Sequence, residues 1–178
     1  MILSKRRMRS EARSHIAQFV YGATDGTVTT FAVVAGAVGG GFGANVALIL
    51  GFANLFADGI SMGVSAYLGE ESDEEVRKIR NRRRALGRAL ITFGAFLSVG
   101  SITLWAYVWQ FFFNGDSQKT FSISLILAIL SFLFIGFVKA LVTGASRIKS
   151  MLETLLLGGV AAGAAYIVGV LLEKAITK

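Results

Sequence analysis

Asp25 and Asp58 are single carboxylates deep within stretches that are otherwise apolar, YGATDGTVTTFAVVAGAVGG and LILGFANLFADGISMGVSAYLG. An ionisable side chain at that depth in a membrane helix is expensive, so it marks an ion pathway unless it finds a structural partner. Both aspartates head polar stripes at helical spacing. Gln18, Tyr21, Asp25 and Thr29 follow one another at steps of three and four, and in the second helix Asn54, Asp58 and Met62 recur at fours with Ser61 and Ser65 at three and seven from Asp58, which places each set on one helix face. Two such stripes facing each other would line a cavity. Counted from the same membrane surface at 1.5 Å per residue, both carboxylates lie ~14 to 17 Å deep and meet near the midplane. Met62, one turn from Asp58, adds a thioether.

Two carboxylates and a soft sulfur suit a divalent first-row metal better than Ca²⁺ or Mg²⁺, which prefer all-oxygen shells. Such ligands must lose their protons to bind metal, so entry of the ion expels protons and reprotonation aids its release. Proton-coupled export of metal is the expectation. The structural alternative is that each carboxyl caps a broken helix or pairs with Lys139, and that Met62 merely packs. Lys139 lies near a helix end, where its amine can snorkel to water.

The elements that must hold these residues are membrane helices. Of 178 residues, 54% are hydrophobic, the mean hydropathy is +0.64, and the apolar residues come in blocks rather than along one amphipathic face. The expected fold is all-α, a single polytopic domain with five transmembrane helices at 16–38, 46–69, 89–113, 121–143 and 153–172, preceded by a basic segment over 1–15. Lysine and arginine fix its orientation. Lys5, Arg6, Arg7, Arg9 and Arg13 precede the first span, seven basic residues between Arg77 and Arg88 follow the second, and Lys139, Arg147 and Lys149 follow the fourth. The amino terminus is then expected in the cytoplasm. The net charge of +7 reflects this bias and attraction to anionic lipid; nucleic-acid binding would need a basic domain with reading elements.

The chain has no cysteine and no proline. Thiolate metal sites and disulfides are thereby excluded, and any helix break must come from glycine. Gly22 with Gly26, Gly39 with Gly43, Gly59 with Gly63 and Gly159 with Gly163 repeat four apart, a spacing that lets backbones approach closely in lipid, within one subunit or across a homodimer. Residues 70–88 read as a short charged cytoplasmic linker. Its acidic cluster, Glu70, Glu71, Asp73, Glu74 and Glu75, precedes a basic run, with Asp73 and Arg77, and Glu74 and Lys78, at the spacing of a solvated helix. The same cluster could instead concentrate cations at a pathway mouth. Trp105, Tyr107 and Trp109 read as interfacial anchors.

The strings VYGATDGTVTTFAVVAGAVG and ANLFADGISMGVSAYLGEES closely resemble the first two helices of the vacuolar iron transporter family, in particular its prokaryotic branch, and KSMLETLLLGGVAAGAAYIVGVLLEKAI resembles the fifth. The resemblance implies a homodimeric carrier that moves ferrous iron, and often manganese, out of the cytoplasm in exchange for protons along the dimer interface, in a prokaryotic plasma membrane. The family's transport aspartate falls on Asp25 and its methionine on Met62, while Asp58 belongs to the ADGxSM form of the motif. Three features depart from the family. Residues 70–88 are too few for the glutamate-rich cytoplasmic metal-binding domain that many members carry. Ser65 and Ala66 stand where many have Gly-Glu. Thr103 lies near the place where relatives tend to have a helix-kinking proline. The rival readings are a carrier for another cation or small substrate, and a non-transporting membrane scaffold; no nucleophile and base pair or cofactor motif points to an enzyme.

Overall fold

The structure, a computed structural model, describes residues 2–78, 81–113 and 117–177. The side chains of Lys5, Arg6, Arg7, Arg9 and Arg13 lie outside the described residues, as do Arg80 and Lys178. The described chain is helical: α1 (Ile2–Gly39), α2 (Ala44–Val76), α3 (Arg82–Gly100), a 3₁₀ turn (Ser101–Leu104), α4 (Trp105–Phe113), α5 (Ser117–Thr143) and α6 (Arg147–Ile176).

Four stretches are long and apolar enough to cross a membrane, Ala44–Val76, Arg82–Phe113, Lys119–Thr143 and Arg147–Ile176. The first helix, expected as a fifth span, falls outside that set because Gln18, Thr24, Asp25, Thr27, Thr29 and Thr30 dilute its apolar character. It is nevertheless the hub of the bundle, packed against α2, α3, α5 and α6. Three of its four threonines are internally satisfied: the hydroxyls of Thr24, Thr27 and Thr29 donate to the carbonyls of Val20, Ala23 and Asp25 at 2.7, 2.8 and 2.9 Å, while the buried Thr30 hydroxyl has no partner among the described residues. Back-bonding of this kind lets a polar helix sit among apolar ones.

Glycine sets how closely the helices approach. A Cβ at Gly22 would strike the Thr92 carbonyl, and one at Gly26 would lie 2.5 Å from the Phe96 carbonyl oxygen, so α1 and α3 meet backbone to backbone. Gly59 and Gly63 on α2 face Phe93 and Phe96 from the other side of α3, while Gly39 packs on the Tyr166 carbonyl of α6. Gly43, Gly159 and Gly163 meet nothing within 4 Å. Three of the four glycine pairs thus contribute at least one member to packing within the protomer, and Gly159 with Gly163 is left open on α6.

Turn chemistry explains where α1 and α5 stop. Gly41 adopts φ +71°, and the Gly41 and Phe42 amides donate to the Val38 and Ala37 carbonyls at 3.1 and 3.0 Å, the paired bonds of a Schellman cap. Gly144, at φ +72°, closes α5 with one bond from its amide to the Ala140 carbonyl at 2.9 Å.

The third span is interrupted without proline. Residues Ser101–Leu104 tighten into a 3₁₀ turn, a local overwinding that often marks a hinge or strain within a helix. Thr103 Oγ1 donates to the Gly100 carbonyl at 3.0 Å, and the buried Ser124 of α5 donates to the Thr103 carbonyl at 2.7 Å. The leucine ending this turn drops its side chain onto Gly51 of α2. Ser124→Ala should lower stability by about 1–2 kcal/mol, since it removes one net hydrogen bond and leaves a buried carbonyl short of a donor; denaturant unfolding in micelles measures it. Of the three aromatic residues expected at the interface, Trp105 and Trp109 are exposed, whereas Tyr107 is buried with Leu104 and Phe96 in the core.

Candidate functional site

On α1, Gln18 is half-buried and its Oε1 accepts from Thr92 Oγ1 of α3 at 2.9 Å. Tyr21 is largely exposed, Asp25 is half-buried, and the Thr29 hydroxyl is committed to the Asp25 carbonyl. On α2, Asp58 and Met62 are half-buried, Ser61 and Ser65 are exposed, and Asn54 keeps a buried Nδ2 with no hydrogen-bond partner. The two aspartates are close enough for their charges to interact. Among the described residues, neither carboxylate side chain takes part in a hydrogen bond or ion pair. Lys139, the cation that could have neutralised one of them, is bound to Glu153 at 2.9 Å.

A cleft of 440 Å³ opens at the end of the bundle that carries the α2–α3 connection. Gln18 and Tyr21 of α1, Met62, Ser65 and Glu70 of α2, and Arg88 of α3 line it. Tyr21 precedes Asp25 by one turn and Met62 follows Asp58 by one turn, so the cleft ends one helical turn short of the aspartates. Asp25 and Asp58 are thus brought to one region between α1 and α2, while Met62, one turn from Asp58, both lines the cleft and packs against the core cluster around Leu55 and Phe96. Thr29 and Asn54 lie on the far side of the aspartates from the cleft. Among the described residues no three His, Cys, Asp or Glu side chains gather as a metal cage, so one protomer offers two carboxylates and a thioether, which is half of a typical shell.

The acidic segment departs from the solvated helix that its spacing suggests. Helix α2 runs on to Val76, and Glu70 and Glu74 are buried. Glu70 takes Arg84 Nε at 3.0 Å on one oxygen and the Arg88 guanidinium on the other. Arg88 also donates to Ser14 Oγ of α1 at 2.8 Å. Glu74 turns to the start of α3, where its Oε2 accepts from the Asn81 amide at 2.8 Å, rather than to Lys78. Only the Asp73 and Arg77 pair, 3.1 Å apart and exposed, follows the expected pattern; Glu71 and Glu75 face a second pocket with Tyr67 and Lys78. The burial continues a stripe that runs the length of α2. The buried residues of α2 are Ala47, Gly51, Leu55, Gly59, Gly63, Glu70 and Glu74, a stripe of fours and a seven that carries the α3-facing side through both glutamates.

A family model described as the VIT family matches residues 16–85 and 77–170, which include both aspartates and Met62. The chain belongs to the VIT family. Its relatives include proteins named vacuolar iron transporter: one from Toxoplasma gondii is 24% identical, with 89% of this chain and 74% of that protein aligned. One from Plasmodium berghei is 23% identical over 90% of this chain and 83% of that protein, and one from Centaurea cyanus is 25% identical over 85% of each. The alignment to the first runs to 225 positions, more than the 178 residues of this VIT family chain, so it carries gaps opposite segments that only the relative has. The two family matches meet at 77–85, the connection between α2 and α3.

Proposed function

We propose that this chain is a secondary transporter that exports a divalent first-row metal, Fe²⁺ or Mn²⁺, from the cytoplasm in exchange for protons. The observation that carries the reading is the pair of carboxylates, Asp25 and Asp58, which have no protein partner among the described residues while Lys139 and Arg88 are both engaged. Two uncompensated carboxylates inside a bilayer are too expensive to serve packing alone, and they need a mobile counter-ion. Membership of the VIT family, and relatives named as iron transporters, support metal as that ion.

In this reading α1 is the fifth membrane span, with the amino terminus in the cytoplasm of a prokaryotic cell. Tyr21, Ser61 and Ser65 are exposed along the α1 and α2 faces, where polar groups pointing at lipid would lack partners. A second copy seated on this face makes a homodimer, covers them and doubles the ligand set to four carboxylates and two thioethers. Metal enters through the cleft past Met62, displaces protons from the aspartates, and leaves on the far side as they are reprotonated. Acidity on the loading side therefore slows transport, and acidity on the release side speeds it. The α2–α3 connection is too short for a separate metal-binding domain, so the cleft itself receives the ion.

Fe²⁺ and Mn²⁺ flux into liposomes, with and without a pH gradient, is the test. Met62→Ala should raise the metal concentration for half-maximal flux by about tenfold or more, the loss that even an outer-shell metal partner typically gives. Absence of flux of either metal in folded protein would remove the metal reading and favour another substrate or a scaffold.

A further inference from the structure

On the side of α2 away from the cleft, α2 and α3 change character together, at one height. Along α2 the residues Ile60, Val64, Tyr67, Glu71, Glu75 and Lys78 follow one another at threes and fours, and along α3 Phe93, Leu90, Leu86 and Arg82 do the same. Val64 and Glu71 stand two residues from Met62 and Gly69 of the cleft, which is about half a turn around the helix. Between the two helices runs an apolar groove of 330 Å³, in which the buried Gly63 and Ala89 lie between the exposed Ile60, Val64, Leu86 and Leu90. Its apolar length, from Ile60 to Tyr67 and from Phe93 to Leu86, is ~10 Å at 1.5 Å per residue. Tyr67 lines the groove and also the next pocket toward the α2–α3 connection, a space of 240 Å³ whose walls are charged.

Three carboxylates, Glu71, Glu74 and Glu75, share that pocket with two cations, Lys78 and Arg82. Apart from the Asn81 amide on Glu74 Oε2, none of these side chains has a hydrogen bond or ion pair among the described residues. Glu74 is only 7% exposed, and its Oε1 is buried without a partner, a costly state for a carboxylate oxygen unless a donor reaches it. A bare metal ion is a poor occupant, since Lys78 and Arg82 repel it and no three carboxylates among the described residues gather as a cage. A free anion would meet the three carboxylates. Charge complementarity selects a zwitterion, and the adjoining groove in a membrane-crossing pair of helices selects one that carries a hydrocarbon chain.

We propose that the α2–α3 groove and its charged pocket bind a phospholipid of the surrounding leaflet whose headgroup ends in a primary ammonium, as ethanolamine does. The acyl chain lies along Val64 and Leu90, the phosphate meets Lys78 and Arg82, and the ammonium meets Glu74 and Glu71. A primary ammonium brings three N–H donors, one of which satisfies Glu74 Oε1 in a charge-assisted bond. The quaternary ammonium of choline has no N–H and is recognised by cages of aromatic rings, which Tyr67 alone does not make. A serine headgroup would add a fourth carboxylate to the pocket. Tyr67 suits the junction, because its ring is apolar and its hydroxyl belongs at headgroup level. The lipid site requires that α2 and α3 cross the membrane and is independent of what the chain transports.

The test titrates dioleoyl phosphatidylethanolamine, phosphatidylcholine or phosphatidylglycerol into the full chain in detergent micelles and counts bound lipid by native mass spectrometry. The ethanolamine lipid should reach half-occupancy at about tenfold lower concentration than the choline lipid, the discrimination that one charge-assisted hydrogen bond gives. Glu74→Gln keeps an acceptor for the Asn81 amide but loses the charge, and it should bring the two lipids close to parity. Arg82→Gln touches only the phosphate that both lipids carry, so it should weaken both and leave their ratio unchanged. Glu71→Gln, at a half-buried position, should also lower the ratio, and it decides the matter if Glu74→Gln fails to elute as a monodisperse species. Equal binding of the ethanolamine and choline lipids by the parent chain would overturn the proposal. Tighter binding of the glycerol lipid would do the same, reducing the site to a basic patch. A preference that survives both glutamate substitutions would place the discriminating group elsewhere and overturn it as well.

Discussion

Asp25→Asn is expected to reduce both metal flux and the opposing proton flux by about 100-fold or more, equivalent to ~2.7 kcal/mol at the rate-limiting step. Asparagine keeps the shape of the side chain and cannot carry its charge, so the packing of α1 against α3 survives while the midplane loses a counter-ion for the metal. In a homodimer the single substitution removes two of four carboxylates from the proposed path. The same amide cannot exchange a proton, and proton movement must fall together with metal movement if the two are coupled. Flux of both ions in proteoliposomes, with a pH dye inside and the metal assayed directly, checks the result. Loss of metal flux with an intact proton leak would break the coupling and leave Asp25 as a ligand only. Retention of both would return Asp25 to a structural role and require a partner for it that the described residues do not supply.

The second large effect concerns stability. Gly26→Leu is expected to destabilise the protein by about 3 kcal/mol or more, at or beyond the upper end of overpacking costs. A Cβ there would lie 2.5 Å from the Phe96 carbonyl oxygen and 2.9 Å from its Cα, and backbone cannot swing aside as a flexible side chain can. The helices would have to separate, and Gly100, where a Cβ would in turn lie 2.8 Å from the Gly26 carbonyl oxygen, would be forced out with them. Because Gly26 adjoins Asp25, a shifted α1 also displaces the carboxylate, so flux should fall even in the surviving folded fraction. Gly94→Ala on α3 is the control, since nothing lies within 4 Å of its Cβ position, and alanine at an unobstructed helical site should leave stability unchanged or raise it by up to about 1 kcal/mol. Denaturant titration of both variants in micelles distinguishes close backbone contact from a general intolerance of side chains at glycine.

The corrected reading of the acidic segment shows how far helical spacing reaches. Asp73 and Arg77 pair along the helix as four-residue spacing predicts, because both sit on the open side of α2. Glu74, four residues before Lys78, has the same spacing yet turns inward together with Glu70. Their fate depends on α3 returning alongside α2 with Arg84 and Arg88 at matching height, a tertiary condition that spacing within one helix does not encode. Tyr107 behaves likewise. Its neighbours Trp105 and Trp109 are exposed, but a tyrosine two residues from each points to the opposite side of α4 and enters the core.

The sequence by itself determined the helical class, four of the five expected spans and the polar faces of α1 and α2, since each follows from composition and from a period of three to four residues that any helix must obey. It also singled out Asp25, Asp58 and Met62, because a charge within an apolar run is visible without coordinates. Only the tertiary structure decided which glycines meet backbone, that α1 is the hub despite its polarity, that the third span breaks at Ser101–Leu104 without proline, and that Arg88 joins three helices at the cleft mouth. Those outcomes depend on which helix faces which and at what height. Interhelical register is a property of contacts between residues as much as 74 positions apart, as for Ser14 and Arg88, and no local pattern in the chain specifies it.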